Sequence, residues 1–334
     1  MKVLVTGGAG YIGSTTAFAL ERAGHVPVIL DSLLSGPRQF VRDRLFYEGD
    51  IADRQLLRRV VSENPDIDAT MHMAARIVVA ESVERPYDYY RDNVAKSMEL
   101  FDELVQLGKP RVLFSSSASL YAFSDSFEVD ETSALDPGSP YARTKLMMEY
   151  VLQDMSAATD LRAVILRYFN PIGSDPELQS GVYVREPSHV LGQLVMAARG
   201  LKEAFVITGT HYPTRDGTGL RDYIHVWDLA LAHVAAIEQF DTVLDKVGES
   251  PVVLNVGTGQ GVTVRELVAA FERVSGGSVP VIEAPPRAGD AVGAYANVDR
   301  IQRLLDWSSR SSLEEALQSA LKWSEKRWEV LGYD

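Results

Sequence analysis

The 334-residue sequence predicts an α/β fold in which helices cover both faces of a parallel sheet. Three observations predict it. Short apolar runs alternate with segments of helical period through the first half of the chain. A glycine-rich turn follows the first of these runs. Proline, glycine and other turn formers then become frequent over 171–223, which indicates a second, smaller unit.

The apolar runs of strand length lie at 3–6, 26–30, 45–47, 69–72, 111–115 and 163–167. Between them, apolar residues recur at helical spacing, as at Val94, Met98, Phe101, Leu104 and Val105. Six strands in this alternation fit a Rossmann-type, doubly wound parallel sheet. Such a sheet binds its ligand in the crevice at the carboxyl ends of the strands.

The remaining chain predicts a helix over 224–239, a strand over 252–256 that returns to the main sheet, and two amphipathic helices after residue 262. Residues 1–170 with about 224–260 are therefore expected to form the Rossmann domain. About 171–223 and 261–334 are expected to form a smaller mixed α/β domain over the crevice, which would bind the substrate.

Composition restricts the function. A net charge of -13 argues against a nucleic-acid partner or an anionic membrane surface. There is no run of 18 apolar residues, which predicts no membrane span, and the N-terminus opens directly into a strand rather than a signal peptide. Zero cysteines exclude thiol catalysis and agree with a cytoplasmic location. The six histidines are scattered without metal-ligand spacing, so no metal site is expected.

A dinucleotide loop is predicted at Gly7, Gly10 and Gly13, which follow a strand and open a helix. Glycines there allow backbone N–H groups at a helix N-terminus to meet a pyrophosphate. Asp31 ends the next strand, where a carboxylate binds ribose hydroxyls and repels a 2′-phosphate, so NAD is favoured over NADP. The alternative is a structural turn with a helix-capping aspartate. Asp50 would address the adenine or cap the helix that begins at Arg54.

Tyr141 and Lys145 are four residues apart and share a helix face. A phenol ionises near pH ~10, and a neighbouring ammonium lowers its pKa, which prepares it to act as a base. This pair is common by chance, but a serine cluster ends the fifth strand. Ser117 is the favoured partner for a substrate hydroxyl, whereas Ser115 and Ser116 are interpreted as packing residues. No G-x-S-x-G elbow surrounds them, which disfavours a nucleophilic serine.

Two arginines in loops, Arg221 and Arg287, are candidate clamps for a diphosphate on this acidic protein. Surface ion pairs are the alternative reading.

These motifs together resemble the extended short-chain dehydrogenase/reductase family, specifically the UDP-glucose (UDP-galactose) 4-epimerases. The resemblance runs nearly end to end. It includes 3–14, 81–83, 89–93, 115–118, 139–145 and 166–171, and its most specific stretch is 212–226.

The resemblance implies an NAD-dependent 4-epimerase of UDP-hexoses that works through a transient 4-keto sugar. Tyr141 would be the acid/base, Ser117 its hydrogen-bonding partner, and Lys145 the residue that binds the nicotinamide ribose. The residues expected around NAD are Gly7, Gly10, Tyr11, Ile12, Gly13, Asp31, Ser32, Leu33, Leu34, Ser35, Gly36, Asp50, Ile51, Met73, Ala74, Ala75, Arg76, Asn93, Ser115, Tyr141, Lys145, Tyr168 and Phe169. Those expected around the UDP-sugar are Ser117, Tyr141, Asn170, His189, Val190, Val206, Ile207, Thr208, Arg221, Tyr223, Arg287, Asp290 and Ala294.

Relatives pair through two helices per subunit, so the resemblance also implies a homodimer through the segments near 93–107 and 141–155. Met148, Val151, Leu152 and Met155 form an apolar stripe there, which burial within one chain would explain equally well.

Departures from the family pattern leave the sugar open. Arg76 stands near the position of a family lysine and is expected to take over its phosphate contact. Ala294 occupies a position where a small residue goes with acceptance of N-acetylated sugars, unless Tyr295 turns inward. Arg185 would reach a C6 carboxylate, which makes UDP-glucuronate an alternative to UDP-N-acetylglucosamine.

Two further alternatives remain open on the sequence. One is a sugar-nucleotide dehydratase or decarboxylase on the same scaffold, although Ala118-Ser119 lacks the acidic pair associated with dehydratases. The other is a non-enzymatic NAD sensor, which would have no reason to keep Ser117, Tyr141 and Lys145 together.

Overall fold

The computed structural model describes residues 1–286 and 292–333. Its strands are β1 Lys2–Thr6, β2 Val26–Asp31, β3 Leu45–Glu48, β4 Ile67–His72, β5 Arg111–Ser117, β6 Glu128–Val129, β7 Arg162–Tyr168, β8 Asn170–Ile172, β9 Phe205–Thr208, β10 Leu220–Arg221, β11 Tyr223–His225, β12 Val252–Val256, β13 Val262–Thr263, β14 Val281–Ala284 and β15 Gly293–Ala296.

The α-helices are α1 Tyr11–Arg22, α2 Arg54–Glu63, α3 Val79–Glu84, α4 Pro86–Tyr89, α5 Lys96–Gln106, α6 Pro140–Ala158, α7 Val190–Ala198, α8 Val226–Glu238, α9 Phe240–Val247, α10 Val264–Ser275, α11 Asp299–Leu305 and α12 Leu313–Leu331. A π-helical segment, Tyr90–Ala95, joins α4 to α5. Short 3-10 turns span Arg38–Val41 and Ala118–Leu120.

The main sheet has seven parallel strands in the order β3-β2-β1-β4-β5-β7-β12. This confirms the doubly wound sheet, its six predicted strands, and the return of 252–256 as a seventh. The strand order reverses direction between β1 and β4, which places the crevice beside the glycine turn that follows β1.

Alternate residues of each strand face opposite helical layers. Val3 and Val5 of β1 pack in a core with α1 and α8, whereas Leu4 packs in a second core with α2, α5 and α6. All three are fully buried. Burying such a side chain contributes about 1.5–3 kcal/mol, so two-sided burial explains the continuous apolar runs in the sequence.

A third core joins α7, α10 and α12 to the small sheets beyond β7, through residues such as Leu194, Phe271 and Leu317. Strands β8 and β11 pair in parallel there, as do β9 and β14. A further four-stranded sheet has the order β13-β10-β15-β6, so β6, which precedes α6 in the chain, pairs with β15 near the C-terminus.

Two element predictions need correction. The helix expected over 224–239 begins at Val226, because the residues before it form β11 and His225 caps the helix through Trp227 N. The tail expected to hold two helices contains α10, α11 and α12 within the described residues, together with β14 and β15. No helix in the described part of the chain is long and apolar enough to cross a membrane.

Candidate functional site

Two residues typical of a helix start precede Tyr141. Ser139 caps α6 by accepting a hydrogen bond from Ala142 N (3.1 Å), and Pro140 is the first residue of the helix. This start places Tyr141 and Lys145 on the face that packs against β5. The ammonium of Lys145 donates to the carbonyl of Ser115 (2.7 Å) and lies 5.0 Å from the centroid of the Phe114 ring. The predicted pair therefore lies at the carboxyl end of β5.

Burial governs the ionisation of both residues. It lowers the pKa of Lys145 to about 8, and Glu149 opposes that effect. It raises the pKa of Tyr141, while the hydroxyl of Ser117 acts in the opposite direction. The expected lowering of the Tyr141 pKa by Lys145 is wrong for the protein alone, because the cost of desolvating a phenolate dominates.

Ser117 is the last residue of β5, and its strand partner on β7 is Tyr168. Its hydroxyl oxygen accepts from Ser119 N (3.1 Å) and so holds the 3-10 turn that follows. Burial also raises the pKa of Tyr168, with Tyr141 as a further cause. Ser117, Tyr141 and Tyr168 therefore meet where β5 and β7 end.

The glycine turn forms a cradle in which neighbouring backbone packs too closely for side chains at Gly7 and Gly13. Gly7 has φ +74°, and a Cβ on it would lie 2.6 Å from Ala74 N. A Cβ on Gly13 would lie 2.2 Å from the carbonyl oxygen of Gly7. Gly10 precedes the first turn of α1 and brings no side chain over it. The N-terminus of α1 is thus open to a diphosphate, as a dinucleotide requires.

Asp31 stands at the end of β2 beside this cradle. One carboxylate oxygen accepts from Ala9 N (2.9 Å) and the other from Leu33 N (2.8 Å). Each oxygen has two acceptor positions, so both retain one for a ribose hydroxyl. Asp31 caps no helix, which rules out the capping alternative. The segment that follows, 32–36, is mostly exposed, and Gly36 packs against Ala9.

Asp50 does not cap α2. The cap is Asp53, whose side chain accepts from Gln55 N and Leu56 N. Asp50 instead accepts from Ala52 N (2.9 Å) and pairs with Lys96 (2.5 Å), so the capping alternative for Asp50 is wrong. Its neighbour Ile51 is buried in the core on that side of the sheet.

Asn93 holds the loop that follows β4. Its Oδ1 accepts from Arg76 N (2.8 Å), and its Nδ2 donates to Arg76 O (3.0 Å) and to Thr144 Oγ1 (3.1 Å) on α6. Segment 73–76, expected around NAD, is thereby fixed between β1 and α6. The guanidinium of Arg76 contacts Asp92 (2.6 Å) and Glu81 (3.6 Å), so a phosphate would compete with two carboxylates for it.

Tyr11 forms a hydrogen bond between two segments of the chain, whereas Phe169 packs in a buried apolar cluster. The Tyr11 hydroxyl donates to Gly173 O (2.7 Å) and ties α1 to the segment after β8. Phe169 is buried and stacks on Tyr121 with ring centroids 6.4 Å apart. Ile12 packs against the core under α1.

The predicted UDP-sugar residues converge beyond β7. Strand pairing sets Asn170 opposite Tyr223, and Arg221 opposite Ala294. Arg221 donates to Val292 O (3.0 Å), so it joins β10 to the segment before β15.

The other residues expected around the UDP-sugar lie on β9, at the start of α7, or outside the described residues. On β9, Val206 and Thr208 are half-buried, whereas Ile207 points into the third core. His189 caps α7, since its Nδ1 accepts from Gly192 N (3.2 Å), and Val190 begins that helix. Arg287 and Asp290 lie outside the described residues.

Ala294 and Tyr295, the two residues expected to set the choice of sugar, are neighbours on β15, so their side chains point to opposite faces of that strand. Ala294 packs beside the cluster of Tyr121 and Phe169, while Tyr295 lies near Glu128 and Gly261. Tyr295 therefore does not turn toward Phe169. The guanidinium carbon of Arg185 lies 5.6 Å from the ring centroid of Trp328, against the C-terminal helix.

Sequence reasoning missed a buried polar network behind the site. Arg167 on β7 donates two hydrogen bonds to Glu149 (2.9 and 2.6 Å), one turn after Lys145 on α6. Ser116 on β5 also donates to Glu149 (2.5 Å), and Arg167 reaches the hydroxyl of Tyr121 (3.1 Å). The only signals in the sequence were an acid at helical spacing from Lys145 and an arginine inside an apolar strand.

Comparison with known proteins gives a consistent result. The model of the NAD dependent epimerase/dehydratase family matches residues 3–257. The UDP-glucose 4-epimerase of Azospirillum brasilense is 41% identical over 333 residues, covering 99% of this chain and 94% of the relative.

Two solved structures are similar along nearly the whole chain. The UDP-glucose-4-epimerase of Stenotrophomonas maltophila, with bound NAD and formylated UDP-arabinopyranose, has a TM-score of 0.92 and 37% identity, covering 98% of this chain and 99% of that one. The UDP-Glc/GlcNAc 4-epimerase of Campylobacter jejuni has a TM-score of 0.82 and 34% identity, covering 97% and 99%.

The network predicts how Glu149 affects Lys145. In Glu149→Gln the opposing carboxylate is lost and Arg167 is left as an unpaired cation, so the pKa of Lys145 should fall below about 8. Breaking a buried pair should also destabilise the fold by about 3–5 kcal/mol. NMR titration of the Lys145 ammonium in the folded protein measures the first effect. The exposed Asp154→Asn on the same helix serves as control, and an unchanged Lys145 pKa in Glu149→Gln would contradict the coupling.

Proposed function

The chain belongs to the NAD dependent epimerase/dehydratase family, and we propose that it is an NAD-dependent 4-epimerase of UDP-hexoses, of the UDP-glucose/UDP-galactose type. One observation carries the proposal most directly: Ser117, Tyr141 and Lys145 lie together at the carboxyl ends of β5 and β7, beside the residues expected to hold a UDP-sugar. The relatives with this fold are named UDP-glucose 4-epimerases.

The residues around the crevice fit NAD. The glycine cradle accepts a diphosphate, and the Asp31 carboxylate retains acceptor positions for ribose hydroxyls. When bound, NAD supplies reversible hydride chemistry at C4 of the sugar. The protein must then bind the sugar, move the proton of the C4 hydroxyl and keep water from a reactive ketone.

Tyr141 is the group proposed to hold that proton at its phenolic oxygen. The hydrogen bond from Ser117 favours the phenolate form of Tyr141, and the phenolate is the form that can accept a proton as a base. Lys145 is mostly protonated at neutral pH, since its pKa is about 8, and its position is fixed by the Ser115 carbonyl. Burial of Tyr141 and Lys145 limits access of water to the keto sugar on their side.

Binding of the UDP moiety is assigned to the second group of residues. Asn170, Arg221 and Tyr223 are brought together by β8, β10 and β11, and Arg221 supplies a cation for the diphosphate. His189, Val190, Val206 and Thr208 are proposed to border the same region, and Arg287 and Asp290 to complete it.

The observations favour one extension of the substrate range. Ala294 is small, packs beside Phe169, and Tyr295 is turned toward Glu128, so the sugar side has room for a C2 acetamido group. The C. jejuni relative is named for both UDP-Glc and GlcNAc. The glucuronate reading is weaker, because Arg185 lies against Trp328. A dehydratase would still need an acidic pair that Ala118-Ser119 does not provide.

A homodimer is part of the proposal, with a corrected contact face. Met148 and Leu152 of the expected stripe are buried within the monomer, and Val151 and Met155 pack against the same core. The apolar residues that α5 and α6 leave exposed are Met98, Met147 and Tyr150.

Loss of the phenol should abolish turnover. We expect Tyr141→Phe to lower conversion of UDP-glucose to UDP-galactose by about 10²–10⁴-fold, because the proton at C4 loses its acceptor. Chromatography of the nucleotide sugars measures conversion, and the NAD content of the purified variant should stay at the wild-type value. Tyr150→Phe, an exposed tyrosine on the same helix, should be unaffected. More than a tenth of wild-type activity in Tyr141→Phe would exclude it as the base.

The sugar pocket should admit UDP-N-acetylglucosamine. We expect Ala294→Tyr to lower kcat/KM for the N-acetylated sugar by about tenfold or more relative to UDP-glucose, because the larger ring occupies the space of the acetamido group. Tyr295→Phe should leave the ratio unchanged. If the wild-type protein does not turn over UDP-N-acetylglucosamine, the open pocket is wrong.

The assembly should be a two-fold dimer. Sedimentation equilibrium should give twice the 36.8 kDa of one chain. Tyr150→Lys should shift the protein toward the monomer, because it buries a charge in an apolar contact. Ile282→Lys, at an apolar residue exposed on β14, should not. A wild-type mass of one chain would rule out the dimer.

A further inference from the structure

A cavity lies between α7, α12 and the segment 182–187, on the side of α7 that faces the C-terminal helix. We call it the α7–α12 pocket. Its walls are mostly apolar and include two tryptophans, and the residues that define it here are Leu191, Val195, Met196, Trp323, Arg199 and Arg327. Asn170, Arg221 and Tyr223 are not among its lining residues, whereas His189 is, so the pocket adjoins the proposed UDP-sugar site at the start of α7 and extends from there toward α12.

The charge in this pocket is one-sided. Its charged lining groups are the guanidinium groups of Arg199 and Arg327, with no carboxylate among the lining residues, while burial lowers the pKa of His189 to about 4 and leaves that imidazole neutral. The whole chain has 46 acidic residues against 33 lysines and arginines. An apolar pocket whose charged lining groups are both guanidinium groups is therefore unexpected on this protein and favours an anion.

Arg327 is incompletely satisfied. The residue is 8% exposed, and its two terminal nitrogens donate to Val184 O (3.0 Å) and Arg185 O (3.2 Å). Its Nε is buried without a hydrogen-bond partner. No carboxylate in the described part of the chain forms an ion pair with this guanidinium. A buried charged donor left unpaired is costly, and an anion in the pocket would supply the missing acceptor.

Arg199 adds to the positive potential at the same place. It donates to Ser324 O (3.2 Å), and its ion pair is with Glu325 (3.2 Å), whose side chain is exposed outside the pocket. Burial lowers the pKa of Arg327, Tyr333 opposes that effect, and the charge of Arg199 adds to it.

We propose that the α7–α12 pocket binds a small organic carboxylate that carries an apolar, aromatic or branched body. The carboxylate would accept from Arg327 Nε with Arg199 beside it, because carboxylates and guanidinium groups form the strongest hydrogen bonds of this kind. The apolar body would lie against Val195, Met196 and Trp323. An inorganic anion would satisfy the arginines but leave those walls without contacts.

Phenylacetate and its neutral amide, phenylacetamide, test this directly. The NAD-loaded enzyme with saturating UDP is titrated with each, so that the UDP-sugar site is filled, and binding is followed by calorimetry and by the fluorescence of Trp323 and Trp328. We expect saturable binding of phenylacetate, with the amide weaker by about tenfold or more, because it lacks the charge.

Two variants remove the site by different routes. Arg327→Met should weaken phenylacetate binding about tenfold or more. Val195→Phe should weaken phenylacetate binding comparably, because the larger side chain fills the pocket while both guanidinium groups remain. This variant still tests the site if Arg327→Met loosens segment 182–187. Lys322→Met, at an exposed residue of the same helix, should change nothing. Equal binding of acid and amide, undiminished binding in Val195→Phe, or binding of inorganic phosphate but not phenylacetate would overturn the proposal.

Discussion

The attachment of α6 to the end of β5 is the constraint on which the rest of the site depends. Lys145 donates to the Ser115 carbonyl (2.7 Å), and one turn later Glu149 accepts from Ser116 (2.5 Å) and pairs with Arg167 on β7. These bonds form in a buried environment, where unmade polar contacts are expensive. They fix the helix rotation that aims Tyr141 at the space beyond Ser117.

The parallel sheet brings the other site residues to the same edge as Tyr141, because its strands all end there. The glycine turn, Asp31, the loop held by Asn93, and Ser117 all lie where strands end. Their convergence follows from strand direction and from the order reversal at β1 and β4. Strand β8 follows β7 directly, so Asn170 and its strand partner Tyr223, both expected at the nucleotide sugar, lie just beyond the carboxyl end of β7.

Much of this arrangement could be predicted from sequence because its signals are local. The buried strands read as apolar runs, and Gly7, Asp31, Tyr141 and Lys145 stand in short motifs with fixed spacing. What failed depended on long-range packing. The chain pattern did not reveal that Glu149 meets Arg167 or that Asp53 rather than Asp50 caps α2, and it left open whether Met148 and Leu152 fill the core. The pKa of Tyr141 was misjudged because burial cannot be read from a spacing. The strand β15 was missed because its pairing partners, β6 and β10, are distant in sequence.

The central claim is that one buried site removes the hydrogen at C4 of a UDP-hexose and returns it to the same molecule. Purified protein, with no NAD added, is incubated with a mixture of unlabelled UDP-glucose and UDP-glucose labelled with deuterium at C4 and ¹³C in the ring. Mass spectrometry of the UDP-galactose formed then reports where the deuterium went. The account predicts that deuterium stays on ¹³C-labelled product molecules, without loss to water. Release of deuterium to solvent, its transfer to unlabelled molecules, or the absence of any UDP-galactose would contradict it.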